Sequence, residues 1–120
     1  MVKDKSANER YEYNQKILQT ERELEDLNTQ HYQLKNTLEN FEQTTEKEFR
    51  NLLEIDNEMM KRGSFSAQWD FEENQGKAQF LKNFLTQQQE NLTHAFSQES
   101  QKLEDQREQF QGERDHLPWD

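Results

Sequence analysis

Tyr13 to Met59 reads YNQKILQTERELEDLNTQHYQLKNTLENFEQTTEKEFRNLLEIDNEM. Stepping alternately four and three residues through it gives Tyr13, Ile17, Thr20, Leu24, Leu27, His31, Leu34, Leu38, Phe41, Thr45, Glu48, Leu52, Ile55 and Met59. Ten of these fourteen positions are apolar. Random placement of a chain that is 29% hydrophobic would give about four. The alternation is the heptad seam of a coiled coil, and no Gly or Pro interrupts it. The stretch predicts one long amphipathic helix whose apolar seam needs a second helix to cover it.

The rest of the chain supplies that helix. Arg62-Gly63-Ser64-Phe65-Ser66 stands almost at the midpoint of 120 residues. Gly63 suits the left-handed position just past a helix end, and Ser64 or Ser66 suits the cap of the next helix. Asp70, Glu72 and Glu73 follow, where the positive end of a helix dipole favours acid. Beyond them Phe71, Ala78, Leu81, Leu85, Leu92, Phe96, Leu103 and Phe110 recur at helical spacing, with a four-residue stutter between Leu92 and Phe96. Gly76 weakens a helix interior, so the first turns are expected to be irregular. Folded about the midpoint, Leu24 meets Leu103 and Ile17 meets Phe110. The expected fold is all-α: one antiparallel, coiled-coil-like helical hairpin. Helix one covers about 8–61, the turn 62–66, helix two about 67–114 and a tail 115–120, in a single domain.

Composition agrees. A hydrophobic fraction of 29% with 33% charged residues is too lean for a broad globular core. It suits helices that each bury one narrow stripe. The net charge of −10 argues against nucleic acid or an anionic membrane surface as partner. No apolar run approaches the ~18 residues of a membrane span, and the N-terminus lacks the apolar segment of a signal peptide. The expected location is the cytoplasm, or export without a cleaved signal. There is no Cys, so thiolate metal sites and disulfides are out of reach. Chemistry finds little else. His31 falls on the seam as a packed, hydrogen-bonded residue, while His94 and His116 stand alone. Glu113-Arg114-Asp115-His116 is one Glu-x-x-His where a di-iron bundle needs two. No enzyme, cofactor or metal is expected. Thr20, Thr45 and Glu48 interrupt the seam, either fixing its register or marking where it gapes.

More apolar surface is present than two seams use. A second heptad row, Tyr11, Leu18, Tyr32, Leu53 and Met60, flanks the first. Phe49 lies on a further face. Phe80 and Phe84 flank the seam of helix two, and Phe65, Trp69 and Phe71 gather at the turn. These side chains either close a small core at the turn or receive a partner helix, from a second copy or from another protein. The tail, with Leu117, Pro118 and Trp119, either docks on a partner or folds back near Tyr11 and Tyr13. The candidate partner-binding residues are Tyr11, Leu18, Tyr32, Leu53, Met60, Phe65, Trp69, Phe80, Phe84, Leu117 and Trp119.

An acidic chain of this length, a long helical hairpin, an aromatic-rich turn with Trp69 and a terminal Leu117-Pro118-Trp119 together resemble a known family. It is that of the small α-helical targeting partners encoded beside LXG toxins of the Gram-positive type VII secretion system. The resemblance implies a hairpin that binds the helical N-terminal LXG domain of a toxin, alongside a second small hairpin protein, and helps target the toxin for export. The wider relatives, the WXG-hundred hairpins, carry Trp-x-Gly at the turn, where this chain has Trp69-Asp70-Phe71. They also carry an acid four residues after an aromatic as an export signal, where Phe110 is here followed by Arg114. The resemblance therefore implies a member without that signal. The competing expectation is a homodimeric four-helix bundle with a purely structural role.

Overall fold

A computed structural model describes residues 6–118. The fold is an all-α antiparallel helical hairpin of α1, Ala7–Lys61, and α2, Phe65–Asp115. Among the described residues no helix is long and apolar enough to cross a membrane.

The turn is built as its residues dictate. Gly63 takes φ 87°, a conformation open to glycine at little cost. Its N–H donates to the Met60 carbonyl at 3.0 Å, and that of Ser64 donates to the Met59 carbonyl at 3.2 Å. This pair is the Schellman motif, which satisfies carbonyls that the end of α1 would leave bare. Ser64 then caps α2, its Oγ accepting from the Ala67 N–H at 3.3 Å. Because Ser64 rather than Ser66 is the cap, α2 starts at Phe65, two residues before the expected start. Gly76 causes no irregularity: α2 runs through it without a break.

Packing divides the chain into two compact units, one of Met1–Tyr32 with Thr93–Asp120 and one of Gln33–Leu92. They are called here the terminal unit and the turn unit. In the terminal unit the expected seam of α1 faces inward. Ile17, Thr20 and Leu24 are buried and Tyr13, Leu27 and His31 half-buried. From α2, Leu103 is buried and Phe96 and Phe110 are half-buried, as is Leu117 just after the helix. Both helices keep alternating three- and four-residue steps. Thr20 is tolerated on this face because its Oγ1 donates to the Lys16 carbonyl at 2.9 Å.

In the turn unit the seam of α1 is not the expected one. The inward residues are Leu38, Glu42, Thr45, Phe49, Leu53, Asp56 and Met60. Their steps are 4-3-4-4-3-4, so Leu38, Phe49 and Met60 repeat every eleven residues instead of every seven. Eleven residues in three turns is 3.67 per turn, slightly above the ~3.6 of a straight helix, whereas the heptad demands 3.5. Leu38 and Thr45 still fall on the heptad line, but from Phe49 onward every inward residue stands one position after it. Leu34, Phe41, Leu52, Ile55 and Met59, expected inside, are left exposed. Glu48 leaves the interior with them. Conversely, Leu53, Met60 and Phe49, expected on outer faces, are half-buried. On α2, Ala67 and Leu85 are buried, and Phe71, Asn74, Ala78, Leu81 and Leu92 are half-buried.

Candidate functional site: exposed apolar faces

The interior is thin: no large side chain among the described residues is fully buried. Twelve large apolar side chains among the described residues remain exposed. Burying a fully exposed side chain of this kind gives about 1.5–3 kcal/mol, and a half-exposed one about half of that, so where they gather is the central question.

In the terminal unit, Tyr11 (63% exposed), Leu18 and Tyr32 lie along one flank of α1, where the second heptad row placed them. Tyr32 borders a groove of about 580 Å³ with Leu24, Glu21, Glu25 and, from α2, Ser100, Glu104 and Arg107. Tyr11 borders another with Arg10, Asn14 and Arg114. The helices are tied there by polar contacts. Arg114 Nη1 donates to Asn14 Oδ1 at 3.0 Å, and Arg10 Nη1 donates to the Pro118 carbonyl at 3.2 Å. The chain after α2 thus reaches Arg10 of α1 through the Pro118 carbonyl, with Leu117 half-buried. Trp119 lies outside the described residues. A hydrogen bond to Glu113 raises the Tyr13 hydroxyl above its ordinary pKa of 10.0, aided by burial and by the charges of Glu113, Glu9 and Glu12.

His31 stacks flat on Phe96, with ring centres 4.8 Å apart and planes 12° from parallel. Its Nε2 is buried without a hydrogen-bond partner, contrary to the expected hydrogen-bonded seam histidine. The described residues contain no group of three or more His, Asp or Glu side chains placed to hold a metal ion.

In the turn unit the two sides of the helix pair differ. One side is a groove of about 440 Å³ floored by Phe49, Leu53, Ala78, Leu81 and Leu85 and rimmed by Glu46, Arg50, Gln75, Gln79 and Lys82. At about 100° per residue, Phe41, Leu52, Ile55 and Met59 fall on the other flank of α1, and Phe84 with Phe80 on the matching flank of α2. These side chains share one flank of the unit, with Phe41 set apart from Leu52, Ile55 and Met59 along α1. Phe65 (93% exposed) and Trp69 stand clear of the interior near the turn. Of the three aromatics there, only Phe71 turns inward, so Phe65 and Trp69 do not close a small core.

Sequence reasoning singled out Phe80 and Phe84 but missed their neighbours Phe41, Leu52, Ile55 and Met59, having assigned them to the seam. The signal was present in the eleven-residue repeat of Leu38, Phe49 and Met60. It was masked because Glu42 and Asp56 occupy inward positions between them. Asp56 is tolerated because Asn74 Nδ2 donates to its Oδ2 at 2.8 Å, and Glu42 accepts from Gln89 Nε2 at 3.0 Å.

Fold and surface together define an acidic, all-helical hairpin with unpartnered apolar faces on both of its units. Comparison with known protein families, with curated proteins and with solved structures finds no match to this chain.

Proposed function

We propose that the protein is a non-enzymatic adaptor or chaperone that lays its exposed apolar surface against helices of another protein. The observation that carries this reading is that, among the described residues, twelve large apolar side chains are exposed and no large one is fully buried. Apolar patches beyond a few hundred Å² are uncommon on monomers and mark interaction sites. An amphipathic partner helix, anchored at three- and four-residue spacing, matches a stripe such as Tyr11, Leu18 and Tyr32. The net charge of −10 disfavours nucleic acid and anionic membranes as alternatives.

The resemblance to the LXG-associated helical proteins supplies the specific partner: the helical N-terminal domain of an LXG toxin, with a second small hairpin protein beside it. On this reading the hairpin shields the apolar stripe of the toxin domain in the cytoplasm, and targets it to, or leaves with it through, the type VII secretion system.

The test is co-expression with an LXG toxin encoded beside the gene, followed by affinity capture on the toxin's N-terminal domain. The complex is expected to form, and Tyr32→Asp is expected to weaken it at least about tenfold, equivalent to 1.4 kcal/mol. Tyr32 is 67% exposed, so the helical circular dichroism of the variant should be unchanged. A well-folded protein that ignores the adjacent toxin would sink the proposal.

A further inference from the structure

The apolar face of the turn unit has a second feature, the order of its residues. Phe41, Leu52, Ile55 and Met59 of α1 and Phe80 and Phe84 of α2 are 39–72% exposed. With 150–250 Å² per aromatic side chain as a guide, they present roughly 600 Å². A standard interface buries about 800 Å² from each partner, so this face with its polar rim is of the size one requires.

The stripe on α1 has a gap between Phe41 and Leu52, where Glu48 stands. The pairs Asp56–Asn74 and Glu42–Gln89 fix the level of the helices within the unit. They set Phe80 and Phe84 level with the stretch from Glu46 to Arg50, beside that gap, and Asp70 level with Met60, close to Arg62.

We infer that this face binds a second copy of the chain, forming a four-helix bundle about a two-fold axis parallel to the helices, with both turns at the same end. In that arrangement α2 of one copy lies over α1 of the other. The Phe80 and Phe84 side chains of one copy then enter the Phe41–Leu52 gap of its partner, and Asp70 of one copy meets Arg62 of the other, twice by symmetry. A reversed two-fold axis would separate Arg62 from Asp70. Opposing the association is like charge. The turn unit carries eleven acidic and seven basic residues, a net −4, which physiological salt screens beyond ~8 Å.

This inference rests on the same uncovered surface as the adaptor reading but assigns the turn unit's face to self-association. It leaves the Tyr11–Leu18–Tyr32 flank of the terminal unit for a foreign helix. Sedimentation equilibrium of the full chain tests it. The expected mass is twice 14.7 kDa. Phe84→Asp and Ile55→Asp should each give a monomer of unchanged helicity, while Tyr32→Asp stays dimeric. Should Phe84→Asp lose helix, Ile55→Asn carries the same expectation. Arg62→Glu should weaken the dimer about tenfold, and Arg62→Glu combined with Asp70→Arg should restore it, because the pair is only exchanged. A wild-type monomer throughout roughly 1 μM to 1 mM overturns the inference. So does a dimer indifferent to Phe84→Asp and Ile55→Asp, or one that the double exchange fails to restore. A monomer that captures the toxin domain through Phe84 ends this inference and keeps the adaptor. A dimer that captures nothing does the reverse.

Discussion

Ile17 and Ile55 stand on the same heptad line of the same helix, yet Ile17 is 7% exposed and Ile55 is 59% exposed. The two belong to different units of the hairpin. In the terminal unit the inward face of α1 follows the heptad, and polar intruders such as Thr20 satisfy themselves on their own backbone. In the turn unit the inward face follows eleven-residue spacing, and the intruder Asp56 is satisfied by Asn74 from the facing helix. What differs is what each unit leaves outside. The terminal unit exposes a short row with tyrosines at its ends. The turn unit exposes the leucine, isoleucine, methionine and phenylalanine that a heptad would have hidden. A period change of a fraction of a residue per turn is enough to convert a seam into a surface.

The largest effect that tests this contrast is truncation of the two isoleucines. Ile17→Ala is expected to cost about 2–4 kcal/mol in chemical denaturation, as buried aliphatic truncations do. Ile55→Ala, measured at a dilution where the chain is monomeric, should stay within about 0.5 kcal/mol, as for a surface site. Equal losses would mean that α1 keeps one heptad face throughout.

Next is the polar pair of the turn unit. Asn74→Ala removes the amide that donates to the buried Asp56 carboxylate, so a loss of about 1–3 kcal/mol is expected. Changing both residues to Leu should recover most of it, because the unsatisfied group disappears with its partner. Hydrogen exchange should place the loss in residues 33–92 and leave the terminal unit protected.

A smaller effect of opposite sign is expected in the terminal unit. His31→Phe keeps a ring against Phe96 and removes the buried, unpartnered Nε2, and it should stabilise the protein by up to about 1 kcal/mol in thermal unfolding. A clear loss would show that the histidine contributes something that its stacking and its orphan nitrogen do not describe.

The smallest effect is a pH dependence confined to the terminal unit. The Tyr13 hydroxyl is raised above 10.0 in the folded chain, chiefly by its hydrogen bond to Glu113. Folding therefore favours the protonated form. This contribution is complete below the unfolded value of 10.0 and is lost as pH rises through the higher folded value. Ultraviolet titration of tyrosinate should show a late-ionising group that is absent in Tyr13→Phe.

Much of this architecture was legible in the residues. The Gly63-Ser64 turn, the absence of helix breakers from Tyr13 to Met59 and the inward line from Tyr13 to His31 follow from local conformational preference and spacing. The site was legible in part. Tyr11, Leu18, Tyr32, Phe65, Trp69, Phe80 and Phe84 are exposed because each stands off the inward line of its own unit. Leu53 and Met60 were misplaced, and Phe41, Leu52, Ile55 and Met59 were missed. From Leu34 onward two lines of large apolar residues run side by side along α1, and either can be buried.

The sequence by itself determined that there are two helices, where they turn, and that together they carry more apolar surface than one hairpin can hide. Those properties come from backbone preferences and from the count and spacing of side chains. Only the tertiary structure decided which of the two lines on α1 is buried in the turn unit. That choice depends on α2, since a carboxylate such as Asp56 can face inward only if a donor such as Asn74 stands opposite it. No periodicity within a single helix contains that information.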